Sequence, residues 1–246
     1  MTEQPSPLYG NQPEPPRPAP PGLVDQITGV FTAPGELFQR LNKAPGWGWA
    51  LGAIIVASLV VAVIWGLKVD VEELMRPALE RNPKIQAAQI DMVIDVYKKF
   101  ILPAGIMSAL LLTPAMMAAL GLFYWLVGKA LPQDQPPTFR QAFSAAVVPS
   151  LVKLPLMLLI AVICLVRPIG GLPPDRIAPT SLGFFLHPES LRLQAALFSV
   201  ELFRLAEAAL AFLALRYLVR MKTAGALIGA MLPLCLGIVL SMMRAQ

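Results

Sequence analysis

The chain has one histidine and two cysteines among its 246 residues. That scarcity leaves few ligands for a metal and few nucleophiles with a base beside them. Cys164 and Cys235 each lie in an apolar run with no second Cys or His close by, so neither a CxxC pair nor zinc-ligand spacing exists. Both read as packing residues. His187 sits in a Gly- and Pro-rich loop without a partner cluster, and a lone loop histidine is ordinarily neither a pH sensor nor a metal ligand. There is no HExxH, GxSxG, Walker loop, or GxGxxG followed by an acid. We therefore expect no catalytic residue, no cofactor, no metal and no enzyme. Charge is equally sparse, at 14% of residues. The net charge of +5 is not gathered into a basic run interleaved with aromatics, which excludes a nucleic-acid track.

What fills the chain instead is apolar. With 56% hydrophobic residues and a mean hydropathy of +0.63, it reads as an all-α, polytopic membrane helix bundle. Five runs are long enough to cross a bilayer, at about 47–67, 103–127, 145–166, 197–219 and 224–243. Trp47 and Trp49 open the first as interfacial anchors, and Pro114 predicts a kink in the second. Gly48 with Gly52, and Gly225 with Gly229, form GxxxG pairs that admit a close neighbour.

Between and before these runs the pattern changes. Residues 1–21 are Pro-rich and carry almost nothing to bury, so they read as a disordered tail. No basic start with an apolar h-region precedes it, and no cleavable secretory signal is expected. Residues 23–43 fit two short amphipathic helices on either side of Ala33-Pro34-Gly35, lying in the headgroup plane. Residues 70–100 fit two more, with Asn82-Pro83 as cap and first residue of the second. Pro188 likewise stands at a plausible helix start before the fourth crossing.

The fourth crossing is the least clean. Glu201, Arg204 and Glu207 recur at i, i+3, i+6, and Ala208, Ala211 and Ala214 continue their face. A charge at mid-membrane costs about 2.5 to 3.5 kcal/mol, which several leucines together barely offset. The expected solution turns this face into the bundle, places Arg204 between the two glutamates and leaves Leu202, Leu205, Leu210, Leu213 and Tyr217 to lipid. Lys153, at depth in the third crossing, is expected either to pair with Glu201 or Glu207 or to snorkel to the surface. Lys153, Glu201, Arg204 and Glu207 are thus the candidate site, an intramembrane polar cluster of structural or functional use. Basic residues near the spans are almost balanced between the two sides. The tight Arg216, Arg220, Lys222 group favours an N-terminus inside.

Several stretches resemble the bacterial branch of the Yip domain (Yip/Yif) family. They are Val30-Phe31-Thr32-Ala33-Pro34-Gly35-Glu36-Leu37-Phe38, Thr138-Phe139-Arg140-Gln141-Ala142-Phe143, Glu201-Leu202-Phe203-Arg204-Leu205 and Leu213-Ala214-Leu215-Arg216. The likeness runs from about Leu23 to Met243 and implies a membrane domain over 22–246, with five spans, a cytoplasmic N-terminus and a short C-terminus on the other side. For a bacterial member it implies the inner membrane. Eukaryotic members of the family are membrane adaptors that engage prenylated Rab GTPases in vesicle traffic. The resemblance therefore implies an integral membrane interaction or scaffold protein, with the lipid bilayer and other membrane proteins as partners. A transporter or channel component using Lys153, Glu201, Arg204 and Glu207 is the alternative that the intramembrane charges suggest.

Overall fold

The computed structural model describes residues 19–83, 85–131, 136–186 and 188–244. The Pro-rich tail up to residue 18 and His187 lie outside the described residues. Among those described, helix dominates, and the one β-type pairing is an isolated bridge between Ser181 and Glu201.

Ala33 divides the first amphipathic stretch into α1 (Leu23–Thr32) and α2 (Pro34–Lys43). Pro34 takes the first helical position, where its missing N–H leaves no bond unmade. Leu37, Phe38 and Leu41 of α2 are wholly buried in the main core, so this helix is packed into the bundle. The first crossing, α3 (Gly48–Lys68), begins with Trp49 exposed and Trp47 turned edge-on to Phe143, ring centres 4.8 Å apart.

Asp70 caps α4 (Val71–Glu80) by accepting the backbone N–H groups of Glu72 and Glu73. The next helix does not start at Asn82-Pro83. Both residues stay in the turn, and α5 (Ala87–Met107) starts after Gln86, whose N–H is taken by the side chain of Gln89. Nor does α5 stop at the membrane surface. It continues through a π-turn at Ser108–Leu112 into α6 (Thr113–Ala130), giving a helical stretch of 44 residues. The separate surface helix and second span expected around residues 70–100 and 103–127 are therefore one rod. Pro114 lacks the N–H that a regular turn needs, and the widened π-turn just before it absorbs the mismatch. Gly66 packs on Leu102 and Gly105 on Ala62, so the far end of α3 stands level with the Phe100–Leu102 region. Beyond that level Ala87 to Lys99 extends about 20 Å at 1.5 Å per residue.

The third run starts at Thr138, which caps α7 (Phe139–Val147) through a reciprocal bond with Gln141. A 3-10 turn, Val148–Lys153, then leads into α8 (Leu154–Val166). The following loop is tied to the far end of α3 and α4: Asp70 N–H donates to Gly170 O, Gly171 N–H to the Glu73 carboxylate, and Trp65 Nε1 to Leu172 O. Gly170 has φ +54°, and a Cβ on Gly171 would stand 2.5 Å from the Leu74 nitrogen.

The fourth apolar run is two helices. α10 (Leu191–Ser199), capped by Ser190 and not opened by Pro188, ends at an extended break of Val200 and Glu201 before α11 (Leu202–Tyr217). The loop supplies the reason. Leu182 N–H donates to Val200 O and Leu202 N–H to Thr180 O, so the break's backbone is satisfied without helix. A short helix, α9 (Leu182–Phe185), seats Gly183 so close to α10 that a Cβ would lie 2.7 Å from the Phe198 nitrogen. α10 and α11 together run antiparallel to α12 (Thr223–Arg244): Leu215 of α11 meets Gly229 near one end, and Ser199 of α10 bonds Ser241 at 2.7 Å near the other.

Among the described residues four helical stretches are long and apolar enough to cross a membrane, namely Gly48–Lys68, Ala87–Ala130, Phe139–Val166 and Thr223–Arg244. α11 has 16 residues. Alone it spans about 24 Å, less than a bilayer core of about 30 Å.

Candidate functional site

Inside the bundle, α6, the 3-10 turn, α10, α11 and α12 surround a cavity of about 830 Å³. Its least exposed charged groups form an ion pair, Lys153 Nζ to Glu207 Oε1 at 2.8 Å, with side chains about one quarter and one fifth exposed. The Ser150 hydroxyl donates to the same Glu207 oxygen. Local geometry explains why both reach it. In a 3-10 helix residues i and i+3 eclipse each other, and the turn at Val148–Lys153 therefore stacks Ser150 and Lys153 on one edge facing α11. Pro149 and Pro155 favour this tightening, since each removes a backbone donor from the regular ladder.

On α11 the cavity face is Arg204, Glu207, Ala208 and Ala211, spaced i, i+3, i+4, i+7. Ala208, Ala211 and Ala214 are buried, while Leu202, Leu205 and Tyr217 on the other side are exposed. Leu210, expected on the lipid side, is instead buried in the core.

The four candidate residues are not one triad with a lysine nearby. Lys153, and not Arg204, holds Glu207. Arg204 is exposed, lines the cavity, and has no carboxylate within salt-bridge distance among the described residues. Glu201 is not on the helical face at all. It occupies the extended break, its carboxylate accepting the Thr180 hydroxyl at 3.2 Å. A break ending three residues N-terminal to Arg204 takes Glu201 out of the i, i+3 register on which the expected pairing depended.

Other lining residues were not singled out by the sequence. Tyr124 lines the cavity beside Glu207, Asp175, Arg176 and Arg244 line its far end, and Ser150, wholly buried behind the lining, reaches it only through Glu207. Ser150 carries a readable signal, lying three residues before Lys153 and next to a proline. Arg176 and Arg244 carry none, because a loop brings the first to the cavity and the packing of α12 the second. Arg176 is also stacked over the Phe198 ring, 4.8 Å from its centre. Among the described residues no group of His, Cys, Asp and Glu is placed to hold a metal ion. Gly225 and Gly229 make close contacts with Leu131 and Leu215, whereas Gly48 and Gly52 face open space.

The sequence model of the Yip1 domain matches residues 28–243. No curated protein and no solved structure matches the chain.

Proposed function

The chain belongs to the Yip1 domain family, and from that premise we propose that it is an integral membrane interaction protein that presents a rigid arm to a partner beside the bilayer. The observation that carries this reading is the α4–α5 hairpin. It projects past the level of the α3 end and has its own small core of Leu79, Ile90 and Ile94. Arg76 braces it, bonding Glu72 and Asp91 at 2.8 Å each, and Lys98 reaches Glu72 at 3.7 Å. Those bonds, to Asp91 first, hold the Arg76 guanidinium above its usual pKa range. Along the outer face Met92, Val96 and Phe100 stand exposed at i, i+4, i+8, an apolar stripe on a braced helix. In this reading α11, completed by the α10 break, makes the fifth pass, and the N-terminus is cytoplasmic together with Arg216, Arg220 and Lys222.

The test is capture from mild detergent with the full chain and with Met92→Asp/Val96→Asp. A partner retained by the parent and lost by the variant supports the arm. A partner retained equally by both, or no partner from membranes rich in the protein, defeats the reading.

A second reading, a transporter or channel component, is favoured by the Lys153–Glu207 pair within a cavity flanked by Pro149 and Pro233. Vesicles reconstituted with the parent and with Glu207→Gln test it. Flux of ions or protons that the substitution abolishes supports transport, and parent vesicles as tight as empty ones remove it.

A further inference from the structure

We infer that the cavity is a binding site for one anionic phospholipid, its phosphate held by Arg176, Arg204 and Arg244 and its acyl chains laid between α6 and α12. Among the described residues four bases and two acids line the cavity: Lys153, Arg176, Arg204 and Arg244 against Asp175 and Glu207. The Lys153–Glu207 pair cancels at the deep end. The remaining positive charge is concentrated at the far end, where Arg244 closes α12 and Arg204 lies in the first turn of α11. All three arginines are exposed, and none has a carboxylate within 4.0 Å among the described residues.

The rest of the lining is that of an amphiphile's tail. Met116, Leu120, Leu234 and Leu240 line the cavity from α6 and α12, and Met116 and Leu240 remain exposed. A free phosphate would satisfy the arginines and leave this apolar wall uncovered. A neutral lipid would cover the wall and leave three arginines at headgroup level with Asp175 as the one acid beside them, an excess of positive charge that it does not meet. A lipid with a phosphate at headgroup level and chains directed into the core answers both. The site is independent of the arm, so its failure and the failure of the partner reading are separate results.

The full-length protein is reconstituted in vesicles of phosphatidylcholine with a minority of phosphatidylglycerol. It is then extracted in mild detergent, and the lipid it retains is measured by native mass spectrometry. Phosphatidylglycerol is expected to be enriched over its bulk share, and each of Arg204→Gln and Arg244→Gln to reduce that enrichment about fivefold, the effect of one cation near a charged headgroup. Arg81→Gln, which removes the same charge from the arm, is expected to retain it. Retained lipid in the bulk ratio for the parent protein overturns the proposal. So does enrichment that survives at Arg204→Gln and Arg244→Gln together, or that falls equally at Arg81→Gln. Arg244 ends its helix and is exposed, so its variant stays informative even where Arg204→Gln lowers yield. Inorganic phosphate is the last probe: if it alone displaces the retained lipid, the site belongs to a soluble anion and the lipid assignment falls.

Discussion

At Lys153 and Glu207 the fold holds opposite charges 2.8 Å apart within a helix bundle, supported by the Ser150 hydroxyl. Removing one partner leaves the other unpaired in a medium poor in water. Lys153→Met is expected to cost about 3 kcal/mol, the lower end for a buried pair, since the cavity leaves part of both side chains accessible. The double variant Lys153→Met/Glu207→Leu is expected to recover most of that loss, because no lone charge remains. Melting of the three proteins in one detergent decides this, and a double variant weaker than the single one contradicts it. Arg204 contrasts with the pair. Read from the sequence, it neutralises two glutamates, and its removal strands both. In the fold it is exposed and Glu207 has another partner, so Arg204→Leu is expected to change stability by less than about 1 kcal/mol. A folded yield far below the parent's would show that Arg204 balances the acids after all.

Helix pairing depends on where a glycine faces, and the GxxxG pattern does not say. A Cβ at Gly52 would meet nothing within 4 Å beyond its own helix, whereas one at Gly121 would stand 2.8 Å from the Phe143 ring and 3.1 Å from its Cα. Gly52→Ala is therefore expected to be neutral or to stabilise by up to about 1 kcal/mol, the ordinary helix preference for Ala. Gly121→Ala is expected to destabilise by about 1 to 3 kcal/mol, because the α6–α7 contact must open against backbone as well as side chain. Melting temperatures measured side by side give the sign of each. The same distinction applies to Gly225 and Gly229, whose added Cβ atoms would meet flexible leucine ends at Leu131 and Leu215. Side chains of that kind can shift, so their Ala variants fall between the other two.

For the whole molecule the contacts sort the chain into two ends. Asn42 donates to Leu218 O and accepts from Arg220, which puts α2 and the α11–α12 turn at one end. Asp70 bonds Gly170 and Ser199 bonds Ser241, which gathers α4, the 167–200 region and the end of α12 at the other. If the N-terminus is cytoplasmic as proposed, a cysteine placed at Glu80 is expected to react with an impermeant maleimide in intact cells, and one at Lys222 only after the cytoplasmic face is opened. The buried Cys164 stays silent, and Cys235→Ser removes the exposed background thiol. The reverse pattern inverts the orientation while keeping the two-ended fold. Labelling of both positions from one side would exclude a pass by α11.

Composition and run length by themselves determined the membrane class and the Gly48–Lys68 and Thr223–Arg244 crossings, because hydrophobic length is a property of the local chain. The α1–α2 pair was equally legible, since Ala33-Pro34-Gly35 punctuates it and Pro34 can only begin a helix. Tertiary structure decided what local pattern leaves open. The run at 197–219 has helical periodicity throughout, yet Val200 and Glu201 are extended because a loop some twenty residues earlier offers their backbone other partners. The helix from Ala87 to Ala130 carries two prolines and a change from polar to apolar sequence, and continues because α3 and α4 support it along one side and a π-turn absorbs Pro114. Glu207 was one of the partners the sequence offered Lys153, but that Lys153 holds it without Arg204 depends on how a 3-10 turn aligns one helix edge against another, and charge spacing within a single helix holds no information about its neighbour.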